Sequence, residues 1–242
     1  MFAIFKKEIN AFFSSLIGLI TVGVFLLMTG AFLWVFDENV LEYGYSSLDQ
    51  LFSIAPNIFL FLIPAITMRS FAEETQSGTI ELLATRPVSD LNIIVGKYLA
   101  CFVLVLMSLI PTLVYYASLY YLGDPVGNID TGSVIGSYIG LAFLGGAFTA
   151  IGIFASACTN NQIVSFVFAI FGCFMTYLGF ELIGAMPVFT GTFGNIIQNI
   201  GMNSHYNSLS RGLLDSIDIV YFLSVIALFF GFTKLQLERR TW

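Results

Sequence analysis

One long polar interval separates two apolar blocks of the chain, and it reads Arg69-Ser-Phe-Ala-Glu-Glu-Thr-Gln-Ser-Gly-Thr-Ile-Glu-Leu-Leu-Ala-Thr-Arg-Pro-Val-Ser89. Its Ser-Gly-Thr triplet is typical of a turn, and Thr79 is suited to cap a helix whose first turn contains Glu81. Pro87 would end that helix. The pattern predicts a short amphipathic helix held at a membrane surface. An ordinary solvated loop with the same capping residues is equally compatible with the composition.

The composition of the whole chain is that of an integral membrane protein. Of its 242 residues, 57% are hydrophobic and only 10% are charged, whereas soluble domains carry about 25% charged residues. At about 20 residues for each spanning helix, the length allows six spans in a single transmembrane domain over residues 1–242. The net charge of −6 and the lack of a basic patch argue against a nucleic-acid partner.

The apolar blocks predict six helices that span the membrane. Residues 1–11 predict an amphipathic helix on the membrane surface before the first span. Residues 184–218 contain an apolar segment too short to cross, which predicts a re-entrant or interfacial pair of short helices before the last span. The expected spans are residues 12–36, 51–68, 98–122, 133–157, 163–183 and 219–233, the last of which extends as a helix to residue 237.

The basic residues predict the orientation of these spans. With six spans, every lysine and arginine except Arg211 falls on one side of the membrane. Because lysine and arginine accumulate on the cytoplasmic side, we expect both termini in the cytoplasm, together with the interval from Arg69 to Lys97.

The types of residue in the spans argue against several kinds of chemistry. Glu181 is the one ionisable group expected within a span, whereas ion-coupled carriers usually contain several. Gly96-Lys97 is no nucleotide-binding loop, because the earlier glycine is missing and Tyr98 follows. An ATPase would therefore be a separate subunit. His205 is the only histidine, so we expect no metal site and a hydrogen-bonded structural role for it. No catalytic constellation is visible either.

The polar interval resembles a loop of a known family. Glu73-Glu-x-x-x-Gly78-Thr-Ile-Glu-Leu-Leu83, followed by Arg-Pro-Val-Ser89, is similar to the first cytoplasmic loop of type-2 ABC transporter permeases. In that family the loop carries the coupling helix that docks on the ATPase. The resemblance implies that the ATPase-coupling residues are Glu73, Glu74, Gly78, Thr79, Ile80, Glu81, Leu82, Leu83, Arg86 and Pro87.

Two further segments resemble the same family. Arg211-Gly and Asp218-x-x-Tyr221 are similar to the segment that enters its last span. A polar turn is similar to its second cytoplasmic contact and consists of Thr159, Asn160, Asn161 and Gln162. The implied fold is an all-α integral membrane protein with six transmembrane helices, a cytoplasmic coupling helix and a re-entrant or interfacial segment before the last span.

The resemblance also implies partners and a function. The chain would be the permease subunit of an ATP-driven export complex in the bacterial inner membrane. ATP and Mg would bind to the partner ATPase and no cofactor to this chain. A second permease chain would complete a homo- or heterodimer within the lipid bilayer. Length and spacing are most similar to gliding-motility-associated permeases, which implies an accessory membrane subunit as well.

Two other functions remain open at this point. A non-transporting membrane anchor could convert ATPase motion into mechanical work. A passive channel is disfavoured, because no span shows a polar stripe in the sequence. For the coupling function, we expect Glu73 and Glu74 to face basic residues of the ATPase, while Ile80, Leu82 and Leu83 contact either an apolar groove or the membrane.

Overall fold

The computed structural model describes residues 1–36, 39–79, 89–189, 191–213 and 215–239. Within these ranges every regular element of secondary structure is helical, and there is no strand. This confirms the predicted all-α class. Residues 80–88, which contain the helix expected between Thr79 and Pro87, lie outside the described residues.

The first part of the chain forms a helical hairpin preceded by a surface helix. An asparagine side chain, Asn39, accepts hydrogen bonds from the first turn of the short helix α3 and so starts it. The helix α4 continues through Pro56 and Pro64. The helices are α1 (Phe2–Phe13), α2 (Leu16–Trp34), α3 (Val40–Tyr43), α4 (Asp49–Thr67) and α5 (Ala72–Gln76).

The remaining helices contain two local irregularities. A 3-10 turn at Ile110–Thr112, which contains Pro111, separates α6 from α7, and a π-helical turn at Met175–Gly179 separates α9 from α10. A proline lacks the N–H of the helical ladder, which explains the first break. The helices are α6 (Asp90–Leu109), α7 (Leu113–Leu122), α8 (Thr131–Ala157), α9 (Gln162–Phe174), α10 (Phe180–Gly184), α11 (Thr192–Ile200), α12 (Met202–Ser210) and α13 (Ser216–Glu238).

Five helical segments of the described chain are long and apolar enough to cross a membrane, and a sixth is obtained when α1 and α2, bent by 68°, count as one span. The predicted spans therefore match in number. The third begins earlier than expected, at Asp90 instead of residue 98. The predicted pair of short helices before the last span is present as α11 and α12. Their depth in a bilayer stays a prediction.

The central helix of the bundle is α8. Its most apolar stretch is 78% buried, against 17% for α13 at the periphery. Glycines allow the close approach of its neighbours: a Cβ atom at Gly152 would lie 2.1 Å from the hydroxyl oxygen of Thr67, and one at Gly136 would lie 2.7 Å from the Cα atom of Gly212. Small residues at helix contacts are typical of packing in membrane proteins.

The bundle has two ends, which are named here after one residue each. The Lys97 end comprises residues 1–13, 68–79, 89–97 and 157–162. The His205 end comprises residues 39–48, 123–130, 185–189, 191–213 and 215–216. Contacts such as the edge-to-face packing of Tyr98 on Phe230 place the last part of α13 near the Lys97 end, where α6 contacts both α1 and α13.

Candidate functional site

The short helix α5 begins against the side of α8. The hydroxyl oxygen of Ser156 accepts hydrogen bonds from the backbone N–H groups of Phe71 and Ala72, at 2.9 and 3.0 Å. The same hydroxyl donates to the carbonyl oxygen of Met68 at 3.0 Å. The first N–H groups of a helix have no partner within it, so this serine supplies what α5 lacks. The start of α5 is thereby fixed to the central helix.

A group of four charged residues, the Lys97 cluster, joins α1, α5 and α6. It consists of Lys7, Glu8, Glu74 and Lys97. The wholly buried ammonium of Lys97 lies 2.9 Å from a carboxylate oxygen of Glu8 and 2.9 Å from Oε2 of Glu74. Lys7 donates to the other oxygen of Glu74 at 2.7 Å. Buried charges require such partners, because an unpaired ion in a protein interior is very unfavourable.

The environment of Lys97 includes further groups. Its ammonium donates to the carbonyl oxygen of Ser70 at 2.5 Å and lies 5.0 Å from the centre of the Phe71 ring. The contact with Oε2 of Glu74 is close enough for an ion pair but is not aligned as a hydrogen bond. Lys97 therefore holds the residues immediately before α5 as well as α5 itself.

Two expectations about charges need correction. Glu74 was expected to face a partner's basic residues, but its carboxylate is directed to the chain's own lysines and its side chain is only 10% exposed. Glu181 was expected to be the one ionisable group within a span, but Lys97 lies inside α6 and is buried. Glu181 itself accepts a hydrogen bond from the Asn203 amide.

Glu73 remains accessible at the surface of α5. Its carboxylate receives hydrogen bonds from the Arg69 guanidinium at 2.8 and 3.1 Å, with side-chain exposures of 45% and 35% for the two residues. Because this pair is partly exposed, either group can leave it and bind a charged group of another protein instead. Of the two glutamates expected to face basic residues of an ATPase, Glu73 is thus accessible, whereas Glu74 is largely buried.

The predicted turn after α5 is confirmed. Ser77 ends the helix, and Gly78 follows with φ of 69°, a left-handed conformation that favours glycine. The helix that contains Glu73 and Glu74 therefore ends at Gln76, and the segment from Glu73 to Leu83 is not one continuous helix. Thr79 lies 3.0 Å from the Ser77 hydroxyl, and its role as a cap stays a prediction. The other predicted coupling residues lie outside the described ranges and are Ile80, Glu81, Leu82, Leu83, Arg86 and Pro87.

The polar turn of residues 159–162 connects α8 and α9 at the same end. The Asn161 side chain caps α9 by accepting from the N–H groups of Ile163 and Val164, at 2.9 and 3.4 Å. Thr159 accepts from the N–H of Asn161 at 3.1 Å. Gln162 is the first residue of α9, and Asn160 is exposed in the turn. Because α9 also packs near α5, the structure brings both predicted contact segments to one end.

Comparison with known families agrees with this arrangement. The profile described as ABC-2 family transporter protein matches residues 36–233 of the chain. The chain belongs to the ABC-2 transporter family. A comparison with curated proteins finds no match to it. Proteins of the ABC-2 family are membrane components of ABC transporters, and their ATPase is a separate subunit.

The His205 end of this ABC-2 transporter protein is fastened differently. The His205 ring lies 2.6 Å from the carboxylate of Asp218 through Nδ1 and 2.9 Å from the Asn199 carbonyl oxygen through Nε2. The ring also stacks on Tyr221, with centroids 3.8 Å apart. The Tyr221 hydroxyl donates to the Ile200 carbonyl oxygen at 2.6 Å. These contacts fix α11 and α12 to the start of α13.

The helix α12 is further attached to α4 and α8. The Tyr206 hydroxyl donates to the carbonyl oxygen of Phe52 at 2.6 Å, and burial raises the pKa of this phenol well above its usual value. Ser133 and Ser137 donate to the carbonyl oxygen of Ser210, at 3.3 and 2.9 Å. Hydrogen bonds thus hold the His205 ring in place. Among the described residues, His, Cys, Asp and Glu form no group of three or more that could hold a metal ion.

The sequence analysis did not identify Lys97, Glu8 or Ser156 as parts of a site. Lys7 and Glu8 belong to the amphipathic surface helix predicted for residues 1–11, and Lys97 was considered only for the orientation and for a nucleotide-binding loop. The sequence signal for a buried Lys97 was its position directly before a long apolar run. A lysine in such a place is buried only when acidic partners are near. Its partners, at positions 8 and 74, cannot be identified from spacing.

Proposed function

We propose that this chain is the permease subunit of an ATP-driven export complex and that the ATPase docks on the Lys97 end. The docking surface would consist of the turn after α5, the adjoining residues 80–88 and the turn at residues 159–162. ATP and Mg would be bound by the ATPase. This goes beyond membership of the ABC-2 family, which supports a membrane subunit with a separate ATPase.

The attachment of α5 carries the proposal. Ser156 fixes the start of α5 to α8, and Glu74 fixes its middle to α6 through Lys97. The exposed residues of the turn, Ser77 to Thr79, lie immediately after these attachments. A force applied at the turn would therefore move α4, α6 and α8 together and would not be absorbed by a free loop.

Charge distribution supports a cytoplasmic location for this end. Lysine and arginine predominate on the side that the Lys97 end occupies, with Arg211 as the exception at the other end. An ATPase works where ATP is present, so the docking surface and the basic side coincide. The bacterial inner membrane is the matching location, and both termini would be cytoplasmic.

A second permease chain is part of the proposal. The helix α13 and the segment from Gln162 to Gly184 have most of their apolar surface uncovered, with 17% and 28% of their most apolar stretches buried. Lipid or a second copy would cover it. The resemblance to gliding-motility-associated permeases adds an accessory membrane subunit as a further partner. Loss of gliding after deletion of the gene, with rescue by the intact chain, tests that part.

Site-specific photo-crosslinking tests the docking surface directly. A photoreactive amino acid is placed singly at Ser77 and Asn160, and at Asn128 and Ser216 of the other end as matched exposed controls. With the ATPase co-expressed, the first two positions are expected to give crosslinks and the controls none. Crosslinks only from Asn128 or Ser216 would show that the ATPase docks elsewhere.

A paired variant tests whether docking transmits force. Gly78→Pro with Leu82→Asp removes the left-handed turn and an apolar side chain, and it should abolish permease-stimulated ATP hydrolysis and release the ATPase on co-purification. Gly44→Pro with Leu41→Asp is the matched control, because Gly44 also follows a short helix with φ of 65° and Leu41 is 66% exposed. Equal hydrolysis in both variants would contradict the coupling role.

Flux measurements distinguish export from mechanical work. Vesicles reconstituted with the chain and its ATPase are loaded with ATP and tested for movement of solutes. Export requires ATP-dependent flux that the coupling variant removes. Stimulated hydrolysis without flux of any offered solute would favour the membrane-anchor alternative.

A further inference from the structure

A crevice of about 570 Å³ opens at the His205 end between α4, α12, the π-helical turn and the start of α8. Small-molecule sites usually have volumes of about 300–1,000 Å³. The crevice lies at the opposite end from the Lys97 cluster, and neither the docking surface nor the attachment of α5 involves it.

Two polar stripes face each other across this crevice. Along a helix, residues four apart lie on the same face. Six lining residues follow this spacing, three on α4 and three on α12 and its end: Asp49, Ser53, Asn57, Asn203, Asn207 and Arg211. The sequence analysis found no polar stripe on any span, and the stripe on α4 corrects it.

The stripe on α4 reaches into the predicted span. Asn57 lies eight residues after Asp49, or about 12 Å along the helix axis. Both Ser53 and Asn57 are exposed, and the Asn57 amide donates only to the carbonyl oxygen of Ser53, at 3.1 Å, among the described residues. Exposed polar groups at membrane depth face water or protein and not lipid. This face therefore borders a water-filled crevice.

The residues that line the crevice include one acidic side chain, Asp49, and one basic side chain, Arg211. The Asp49 carboxylate and the Arg211 guanidinium are exposed, and neither forms an ion pair with another residue of the described chain. A simple anion would be repelled by Asp49 and a simple cation by Arg211. A single ligand with both charges satisfies both side chains, and the amides of Asn57, Asn203 and Asn207 add hydrogen-bond donors and acceptors.

We propose that the crevice binds a zwitterionic phosphoammonium group of the phosphoethanolamine type. The phosphate contacts Arg211, whose planar guanidinium matches phosphate oxygens in pairs. The ammonium contacts Asp49. The group can belong to a lipid headgroup or to a free solute, because the recognition chemistry is the same for both.

Equilibrium binding to the purified chain tests this site without an ATPase, so its outcome is independent of the export proposal. In a nonionic detergent, calorimetry compares phosphoethanolamine with ethanolamine alone and inorganic phosphate alone. Phosphoethanolamine should bind at least about tenfold more tightly than either fragment, as expected when two charged contacts add. Equal affinities for phosphate and phosphoethanolamine would contradict the proposal that the crevice recognises a zwitterion.

Matched variants locate the site. Arg211→Gln and Asp49→Asn should each weaken phosphoethanolamine binding about ten- to a hundredfold, the range for a lost charged hydrogen bond. Arg239→Gln, at the other end, and Asp124→Asn, in the loop after α7, should leave binding unchanged. All four positions are exposed, and unchanged thermal midpoints would confirm folding. Asn57→Ala provides a further variant that retains both charges and should weaken binding less.

Lipid nanodiscs distinguish the two sources of the ligand. If the crevice takes a lipid headgroup, soluble phosphoethanolamine binds in discs of phosphatidylglycerol and is displaced in discs of phosphatidylethanolamine. If it takes a free solute, the two discs give the same affinity. Absence of binding in every medium, or a dimer of this chain that covers the crevice and binds nothing, would overturn the proposal.

Discussion

Short helices are attached to the long ones at both ends of the molecule, but by different interactions. At the Lys97 end, a buried ammonium holds α1 and α5 to α6 through the carboxylates of Glu8 and Glu74. At the His205 end, an imidazole between Asp218 and a backbone carbonyl group, stacked on Tyr221, holds α11 and α12 to α13.

The difference concerns what remains when one partner is lost. Removal of Lys97 takes a buried ammonium away from two carboxylates. At the His205 end, most contacts are single hydrogen bonds made by the His205 ring or by a tyrosine hydroxyl. Loss of a partner from a buried ion pair is far more unfavourable than loss of a neutral hydrogen bond. The Lys97 end should therefore be the more sensitive to single substitutions, and the variants below examine this in order of expected effect.

Lys97→Met should give the largest effect. It removes the buried ammonium from Glu8 and leaves Glu74 with Lys7 alone, so the free energy of unfolding in mixed micelles should fall by about 3–5 kcal/mol. Lys234→Met is the control, because Lys234 forms an exposed pair with Glu238 at 3.4 Å. Adding Glu8→Gln and Glu74→Gln to Lys97→Met should recover much of the loss. Equal effects of Lys97→Met and Lys234→Met would contradict the described difference.

His205→Ala should be less destabilising and more local. The Asp218 carboxylate, in a residue that is only 6% exposed, loses its partner, which costs about 1–3 kcal/mol. Amide hydrogen exchange should accelerate in α11 and α12 and stay unchanged in α5. His205→Gln, which keeps one hydrogen-bonding group, should have an intermediate effect. Faster exchange in α5 would mean that the two ends are not independently fastened.

Tyr206→Phe removes a single neutral hydrogen bond, from the hydroxyl to the Phe52 carbonyl oxygen. The free energy of unfolding should fall by about 1 kcal/mol. Because burial raises the pKa of Tyr206, the hydroxyl stays protonated and the difference from the unmodified chain should persist at mildly alkaline pH. Tyr121→Phe, at an exposed tyrosine, should have no measurable effect. A difference that vanishes at mildly alkaline pH would contradict this account of Tyr206.

Arg69→Gln should have the smallest effect on stability, although Arg69 belongs to the more sensitive end. Its pair with Glu73 is 35% and 45% exposed, and such pairs contribute about 0–1 kcal/mol. High salt should reduce the difference further. A loss above about 2 kcal/mol in thermal or denaturant unfolding would show that this pair belongs to the buried network.

The helices could be predicted because their signals are local. Apolar blocks of sufficient length indicated the spans, and Gly78 indicated a turn that the structure confirms. The third span was expected to begin only after Lys97, although the helix that contains it already begins at Asp90. The residues from Asp90 to Lys97 are helical because the partners that satisfy Lys97 come from other parts of the chain.

The Lys97 cluster could not be predicted for the same reason. Glu8, Glu74 and Lys97 are far apart in the sequence, and each is ordinary in its own segment. Only the close packing of α1, α5 and α6 makes them neighbours. The histidine shows the same limit: its structural role was predicted, but Asp218 and Asn199 as its partners were not.

The central helix α8 touches both ends. Ser133 and Ser137 bind α12 near its start, and Ser156 binds the first turn of α5 near its other end. Between Ser133 and Ser156 lie about 35 Å of uninterrupted helix without a proline. A displacement of α5 along that axis would reach α12 in the same direction and with nearly the same amplitude. The helix α8 would thus act as a rigid rod that is hydrogen-bonded through serine hydroxyl groups to α12 at one end and to α5 at the other.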